Sequence, residues 1–582
     1  MALLDKFPTS KQQPCDPRTS NDAEDREKHP AENSDNDSDI VNPNFQYGVR
    51  NAQASLKVWT RNQLIAAYVL IWFIQFLSTF SWGVVNTLTP YVTSSFQEHS
   101  LTATTAIVAG LVGGLVKLPY AKLLDVWGRA QGFALMIGLL TIGLIMMAGC
   151  NNVQTYCAAQ VFYWIGYNGL SFTITIFIAD TSSLRNRAFM IAYSASPSIA
   201  TTWAYGPATE RILETIGLRW GLGIWAIVMP IAYFPLFALF YYNQRKAEKL
   251  GLVPRDPSGR TLAQSIFYYA REFDIIGLIL ISAGLALFLL ALSLYSYQAD
   301  QWRSPLIICF LIFGGLLVIA FCLYERYIAP VTFIPWRLMR NRTVFFTFTM
   351  VASLYMIWYI WNSYFYSMLI VVFNTSVSVA TYIQNIYTVG SCFWGVVMGI
   401  VIRYNGRLKW QALYFGVPIT ILGVGLMIYF RQPDMDVSYL AMCMIFIAFG
   451  GGTLVICEQM TVMAVSTQQD IPAILAMEAM IASVGGSIGS TIAAAMWTGI
   501  FPVKLQQYLP AGAPLAEIYG DMVKQASYPL GSPIRDGINR AYGDTQKLML
   551  ITSTCLYAIT WGSVVFWEDI NVKNLQQKGF IF

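Results

Sequence analysis

The chain has 582 residues, of which 55% are hydrophobic and only 12% are Asp, Glu, Lys or Arg. Soluble domains carry about 25% charged residues on average, so this composition excludes a soluble protein and predicts a polytopic membrane protein. A net charge of only +5, spread over dispersed basic residues, gives no nucleic-acid footprint. Two histidines in polar segments exclude a membrane haem protein with paired histidine ligands, and nine cysteines without a CxxC motif predict neither disulfides nor metal ligands.

Residues 1–60 form a polar tail that differs in composition from the rest of the chain. Eight acidic and two basic residues lie between Asp22 and Asp39, without hydrophobic periodicity. Such a segment cannot bury a core, which predicts a disordered, acidic tail. The tail lacks the short apolar core of a cleavable signal peptide. We therefore expect the first long apolar segment to direct membrane insertion.

Apolar runs of a length that crosses a bilayer, about 20 residues, follow one another from Leu64 onward. They predict an all-α membrane protein with fourteen transmembrane helices. The predicted helices are 64–88, 101–121, 130–149, 155–178, 188–209, 220–242, 275–295, 304–324, 343–367, 377–402, 410–430, 437–457, 473–500 and 545–567.

The orientation follows from the Lys and Arg residues of the loops. If the N-terminus is cytosolic, the inward loops and the C-terminal tail hold 19 Lys and Arg, whereas the short outward loops hold 4. Both termini are therefore predicted to be cytosolic. The predicted domains are the tail 1–60, a six-helix bundle over 61–243, a segment 244–342 with a cytosolic loop, helices 7 and 8 and a linker, a second six-helix bundle over 343–567, and a cytosolic tail 568–582.

One outward connection, residues 502–543, is much longer than the others. Loops beyond about 12–15 residues are uncommon and are usually functional or disordered. Here five prolines and five glycines alternate with tyrosines, which favours a shaped loop that contacts something. Its candidate gate or capture residues are Tyr508, Tyr528, Arg535 and Tyr542.

The loop between helices 2 and 3 reads Ala121-Lys-Leu-Leu-Asp125-Val-Trp-Gly128-Arg129. It resembles the signature G-x-x-x-D-x-x-G-R of the major facilitator superfamily, with Ala121 in place of the first glycine. Gly128 permits a tight turn, and Asp125 can pair with Arg129 or with a neighbouring helix N-terminus. These three residues predict a conformational latch, with an ordinary charged turn as the alternative.

A layout of two six-helix bundles with two inserted helices is that of the fourteen-helix drug/proton antiporters, but helix 5 lacks their GPxxGG-type cluster. A second family fits more of the chain. Segments in order from about Gly48 to helix 14 resemble the fungal siderophore–iron transporters, among them Arg219-Trp-Gly-Leu-Gly-Ile-Trp225, Asn341-Arg342-Thr343 and, inside the long outer loop, Tyr528-Pro-Leu-Gly531-Ser-Pro533-Ile-Arg535. The resemblance implies the major facilitator fold, transport rather than catalysis, and import of ferric hydroxamate siderophores by proton symport.

Such a cargo is bulky and nearly neutral, because three hydroxamates balance one Fe(III). It calls for a wide cavity of aromatic and hydrogen-bonding groups and for no metal ligands from the protein. Helix 9 supplies Tyr355, Tyr359, Asn362 and Tyr366 at the spacing i, i+4, i+7 and i+11, which predicts one helical stripe. A lone tyrosine is more often core or interfacial belt, but a stripe with Asn favours a cavity, since lipid-facing Asn is costly. The further candidates are Gln75, Tyr163, Asn168 and Asn385.

Proton coupling requires a titratable group within the membrane, and such groups are functional candidates by default. Glu478 is the first candidate, with Asp180 and Glu458 at helix ends as alternatives. Lys117 lies near a helix end and can snorkel to the interface. Asp180 is expected to pair with Arg185 or Arg187.

Three alternatives stay open: a drug/proton exporter of the same fold, a glutathione/proton exchanger and a membrane enzyme. The exchanger would need basic groups for an anionic peptide, and the enzyme a nucleophile, metal or haem constellation that the sequence does not suggest. The expected protein is a monomer without a cofactor. Its expected partners are a ferric siderophore, protons and the lipid bilayer, in the plasma membrane or in endosomal membranes.

Overall fold

The computed structural model describes residues 47–95, 115–252, 264, 268, 271, 274–295, 298, 300–329, 336–467, 470–520 and 522–575. Most of the predicted acidic tail and residues 101–114 of the second predicted helix lie outside these ranges. Within them the chain is helical, and the β-type contact is an isolated bridge between Arg407 and Asn571.

The helices of the described chain are numbered here in order. They are α1 Tyr47–Leu56, α2 Arg61–Ser95, α3 Lys117–Trp127, α4 Arg129–Gly149, α5 Val153–Thr181, α6 Leu184–Ala195, α7 Ser198–Thr215, α8 Gly217–Lys249, α9 Ile275–Leu294, α10 Pro305–Tyr327, α11 Trp336–Met339, α12 Arg342–Asn362, α13 Phe365–Val371, α14 Val377–Asn405, α15 Leu408–Gln411, α16 Val417–Phe430, α17 Val437–Ala464, α18 Ile471–Tyr508, α19 Leu515–Gly520, α20 Met522–Ser527 and α21 Pro533–Val565.

Twelve spans in the described chain are long and apolar enough to cross a bilayer, with α12 and α13 together forming one of them. The protein is therefore an all-helical, multi-pass membrane protein, as the composition predicts. Two predicted helices are not among the twelve. Most of 101–121 lies outside the described residues, and 188–209 is divided between α6 and α7. The prediction of one uninterrupted helix there is wrong: Ser196 donates its hydroxyl to the Tyr193 carbonyl at 2.7 Å, and Pro197 has no N–H to continue the ladder.

Small residues bring the central helices together. A Cβ added to Gly485 or to Gly489 of α18 would collide with the backbone carbonyl of Ala352 or of Met356 in α12. Such small-xxx-small faces allow two membrane helices to approach to backbone contact. The closest helix packing in this part of the bundle therefore lies beside the aromatic residues of α12.

Replacing Gly489 with Ala is expected to destabilise the protein by about 1–3 kcal/mol, the usual cost of overpacking. Gly499 in the same helix has open space around it and supplies the matched control. Thermal unfolding of the two purified variants in detergent checks this prediction. If Gly489→Ala has the same melting temperature as Gly499→Ala and the wild type, the close packing of Gly489 against α12 is contradicted.

Helices α9 and α10, which lie in the middle of the sequence, pack against each other and contact the rest of the bundle through α18. Tyr295 donates its hydroxyl to the Thr491 carbonyl at 3.3 Å, and the Thr491 hydroxyl donates to the Leu292 carbonyl at 3.1 Å. Most of the surface of α10 faces outward and is apolar. This helix pair thus lies at the lipid-facing side of α18.

Helices from the first and second halves of the chain meet where α6 and α7 cross α14. The Arg185 Nε donates to the Arg403 carbonyl at 3.1 Å, and Asn385 donates its amide to the Tyr205 hydroxyl at 3.3 Å. Between these points α6 lies so close to Gly399 that a Cβ there would be 2.7 Å from the Phe189 Cα. These contacts form one side of the central region that carries the candidate site.

Candidate functional site

An acidic cluster lies inside the helix bundle. Glu458 of α17 is 1% exposed and Glu478 of α18 is 5% exposed. The two carboxyl groups interact electrostatically with each other, Glu478 with Lys117, and both with Tyr355. In the described chain, the Oε2 atom of each glutamate has no hydrogen-bond partner. The structure thus brings two of the three predicted proton-coupling candidates together.

Two adjacent glycines of α17, Gly451 and Gly452, lie on the side of this helix that faces α14. A Cβ on Gly452 would be 2.8 Å from the Ser391 carbonyl oxygen, and one on Gly451 would be 2.7 Å from the Tyr387 hydroxyl. The glycines therefore let α14 approach α17, and they leave room for Tyr387, which interacts with Glu458. Because α14 and α17 are in backbone contact here, Glu458 lies beside Tyr387 and not beside lipid.

The predicted stripe of helix 9 is interrupted. Tyr355, Tyr359 and Asn362 lie in α12, but α12 ends at Asn362 and Tyr366 belongs to α13. The prediction of one continuous helix over 343–367 is wrong, because Tyr364 leaves the helical conformation with φ −116° and ψ 17°. Its ring stacks on Trp497 at a centroid distance of 4.1 Å, which gives the break a tertiary cause.

Exposure separates the predicted cargo-binding residues. Tyr359 is 44% exposed beside Gly486, while Asn362 and Tyr366 are half-buried. Asn385 bonds across to Tyr205, and the half-buried Asn168 donates its amide to the Trp164 carbonyl at 3.0 Å. Two further members lie in the first half of the chain: Gln75 is half-buried and Tyr163 is buried.

Tyr163 lies in the core of the first half. It is 1% exposed and stacks on Tyr167, with the ring centroids 6.0 Å apart. A Cβ on Gly143 would collide with its backbone nitrogen. In this conformation Tyr163 packs helices together, whereas Tyr359 has the open surface that contact with a cargo needs.

The predicted latch is assembled around one arginine. Arg129 Nη1 lies 3.1 Å from Asp125 Oδ1, and Arg129 Nε lies 3.4 Å from Asp180 Oδ2. Burial raises the pKa of Asp125 to about 6, and the attraction of Arg129 opposes this rise. Asp180 is thus engaged with Arg129. Of its two expected partners, Arg187 interacts with it electrostatically and Arg185 bonds instead to Arg403.

The short helix α1 covers the latch. Gly48 lies against the backbone carbonyls of Leu124 and Asp125, where a Cβ would be only 2.5 Å from either oxygen. Next to this contact is an open cleft. Polar and aromatic residues line it, among them Asn51, Trp59, Arg129, Asp180, Phe240 and Gln244.

Gly128 joins α3 to α4 at φ 105° and ψ 165°, a conformation that only glycine adopts readily. A Gly128→Ala substitution is therefore expected to cost about 1–3 kcal/mol and to loosen the Asp125–Arg129 pair. Thermal unfolding of the purified protein measures the cost. Gly138→Ala in α4 is the control, since its Cβ meets open space; equal melting temperatures would contradict the strain at Gly128.

The outer loop is folded around Arg535, which is 0% exposed. Its Nη1 donates to the carbonyls of Gln525 at 2.6 Å and Tyr528 at 3.3 Å, and its Nη2 donates to the Val371 carbonyl at 2.6 Å. The Tyr542 hydroxyl donates to Gln525 Oε1 at 2.8 Å. Arg535 and Tyr542 therefore shape the loop from within, and the half-exposed Tyr528 is the better placed to meet a cargo.

Tyr508 fastens the other end of the same loop. It donates its hydroxyl to Asp544 Oδ2 at 2.7 Å, and Lys504 Nζ lies 2.9 Å from the same oxygen. These contacts join the end of α18 to α21. Helices α19 and α20 lie between these attachments, so the connection is shaped as the pattern predicts. The predicted bounds 502–543 are too wide, because Tyr508 ends α18 and both Arg535 and Tyr542 belong to α21.

Across the described ranges, no three His, Cys, Asp or Glu side chains come together in a way that could hold a metal ion. The candidate site consists instead of hydroxyl, amide, aromatic and carboxyl groups.

Comparison with known proteins identifies the family. Residues 71–490 match the model of the Major Facilitator Superfamily. A protein of Ajellomyces capsulatus named MFS siderochrome iron transporter 1 is 56% identical, over 93% of each chain. The chain belongs to the siderophore–iron transporters of the major facilitator superfamily. Siderochrome iron transporter 2 of Aspergillus fumigatus is 41% identical over 93% of this chain and 89% of its own.

The fold comparison agrees with this family. A bacterial homologue of the iron transporter ferroportin, in an outward-facing state, superposes with a TM-score of 0.50 and covers 85% of this chain and 99% of its own. At 8% identity that likeness shows the fold alone.

In this siderophore–iron transporter, the sequence did not reveal the surroundings of two cationic side chains. Lys117 is half-buried beside Glu478 instead of simply reaching the interface, and Arg431, the first residue of the connection after α16, is fully buried instead of solvated. For Lys117 the available signal was a charge matched by an acidic residue in a distant helix. For Arg431 no local signal exists, because it follows directly after an apolar helix as a loop residue would.

Proposed function

We propose that this transporter imports ferric hydroxamate siderophores by proton symport with alternating access. The observation that carries the proposal is the 56% identity, over 93% of each chain, to a protein named as a siderochrome iron transporter. Identity at this level over nearly the whole length includes the helices that line the candidate site. The iron is cargo in this proposal and is held by the siderophore, so no cofactor is required.

The polar groups of the site suit such a cargo. Tyr359, Asn362, Tyr366 and Asn385 offer aromatic faces, hydroxyls and amides without a formal charge. A ferric trihydroxamate is nearly neutral, with an amide and apolar exterior, so it gains from stacking and hydrogen bonds rather than from an ion pair. The same groups would give little affinity to an anionic peptide.

Proton coupling is assigned to the acidic cluster. Glu458, Glu478 and Lys117 together are neutral when the two carboxyl groups share one proton. Two ionised carboxylates side by side in an apolar bundle are costly, and binding a proton relieves that cost. We propose Glu478 as the carrier because Lys117 lies beside it, so that a proton and the lysine compete for the same carboxylate. Asp180 is a weaker candidate, since Arg129 already compensates its charge.

Alternating access would break one set of contacts between the halves of the chain. The Arg185–Arg403 and Asn385–Tyr205 hydrogen bonds join α6 and α7 to α14, and the Asp125–Arg129–Asp180 group lies on the same side as Arg185. We propose that this group stabilises one state of a rocking motion between two bundles. Asn385 would then link cargo binding to closure, because its side-chain amide belongs to the cargo site and also donates the hydrogen bond to Tyr205.

The proposed membrane arrangement has fourteen helices, two six-helix bundles with α9 and α10 between them, and both termini in the cytosol. We place the transporter, as a monomer, in the plasma membrane or in endosomal membranes. Epitope tags at the two ends of the chain test the orientation by their antibody accessibility before and after permeabilisation. Fluorescence microscopy of the tagged protein distinguishes the two membranes.

Uptake decides the function. Yeast that lacks siderophore transport should regain growth on at least one ferric hydroxamate when it expresses this chain, and should accumulate radiolabelled iron from it. A protonophore should abolish this accumulation. A chain that reaches the membrane but transports none of a panel of ferric siderophores, or that expels them, would refute the proposal.

A further inference from the structure

Side chains from two other segments hold the break in the helix that carries the aromatic site residues. The break between α12 and α13 deprives carbonyls of their helical partners. The Trp361 carbonyl accepts from Arg431 Nη1 at 2.8 Å. The Tyr364 carbonyl keeps a helical partner, the Met368 N–H at 3.2 Å, and accepts in addition from Gln546 Nε2 at 3.1 Å. The break is therefore a built feature with its own hydrogen-bond donors.

Arg431 is the unusual member of this set. It follows directly after α16, is 0% exposed, and forms no ion pair with a carboxylate of the described chain. A guanidinium buried without a counter-charge is costly. Here the negative end of the α12 dipole and the ring of Phe365, whose centroid lies 4.4 Å from Arg431 Cζ, compensate it. The cation is thus matched to the broken end of one helix.

The carbonyl that accepts the Arg431 hydrogen bond is that of Trp361, the residue before Asn362. Asn362 is half-buried, and its Oδ1 has no hydrogen-bond partner in the described part of the chain. Tyr359 lies one turn earlier on the same helix. A change in the direction of the Trp361 carbonyl would rotate the last turn of α12 and redirect both side chains.

We infer that Arg431 is a positioning residue of the cargo site, which sets the end of α12 so that Tyr359 and Asn362 face the cargo together. This inference rests on the proposed function, in which those two residues contact the siderophore. Arg431 itself is buried behind Trp361 and Phe365 and does not touch the cargo. Its loss should weaken cargo binding more than it slows transport at saturation.

The kinetic test compares Arg431→Met, Arg431→Lys and Arg540→Met, the last being an exposed arginine of α21. Arg431→Met keeps most of the packing volume but loses the charged hydrogen bond, which should raise the KM for ferric siderophore about tenfold or more. Arg431→Lys keeps the cation and one donor, so its KM should rise less. Arg540→Met should leave the KM unchanged.

An unchanged KM in Arg431→Met, or a loss confined to the maximal rate, would overturn the inference. If Arg431→Met does not reach the membrane, Arg431→Lys decides, since a wild-type KM in that variant would overturn it as well.

A second measurement does not depend on transport. Ser363 lies in the break and is exposed, so a Ser363→Cys protein can be labelled with a maleimide and compared with the unsubstituted chain as background. Arg431→Met should change the labelling rate at position 363, and Arg540→Met should not. If the wild type imports no siderophore, the proposed function fails, while this labelling still tests the hold of Arg431 on the break. Equal labelling rates would overturn the inference.

Discussion

Glu478→Gln is expected to reduce proton-driven accumulation of ferric siderophore to the level of cells without the transporter. The amide has nearly the same shape as the carboxyl group but cannot exchange a proton, and Lys117 is left without its compensating charge. Exchange of labelled for unlabelled cargo across the membrane needs no net proton movement and should persist. Loss of accumulation with retained exchange is therefore the expected result.

Glu517→Gln is the matched control for this experiment. Glu517 lies in the outer loop, is exposed, and is 3.9 Å from Lys524 in a surface pair that contributes little. Glu458→Gln should also impair accumulation, because the two glutamates share one buried cluster. Full accumulation in Glu478→Gln, still sensitive to a protonophore, would move the coupling site away from this cluster.

Sequence reasoning reached the fold because its signals are local. Each of these signals is visible in one stretch of chain: the apolar runs, the loop with Asp125, Gly128 and Arg129, and the glutamates Glu458 and Glu478. What it could not reach were consequences of tertiary contact. The break after Asn362 depends on Trp497, Gln546 and Arg431, which lie about 70 to 185 residues further along the chain.

The same limit explains the outer-loop residues. The pattern of prolines and tyrosines correctly predicts a shaped loop, but residue type alone does not say whether Arg535 faces outward or inward. An arginine in an outer loop is usually solvated. Three backbone carbonyls, from Gln525, Tyr528 and Val371, converge on the Arg535 guanidinium. Only these contacts show that the side chain is buried inside the folded loop.

Arg535→Ala is expected to unfold the outer loop and to lower siderophore uptake strongly. The substitution removes a guanidinium that serves three carbonyls and leaves those acceptors without their donor. Each buried carbonyl that is left without a donor costs about 1–3 kcal/mol, and helices as short as α19 and α20 have no independent stability to offset it. Arg540→Ala, an exposed position one and a half turns further along α21, is the control.

Cleavage by protease added to intact cells measures directly whether the loop is folded. Cleavage between 509 and 532 should appear in Arg535→Ala and in neither the wild type nor Arg540→Ala. Tyr542→Phe keeps its ring against Trp497 and loses only the bond to Gln525, so it should be affected less. An Arg535→Ala protein that resists protease and imports normally would contradict this role. Because Arg535 of α21 also bonds to the Val371 carbonyl at the end of α13, its loss should separate the loop from the segment that contains Tyr366.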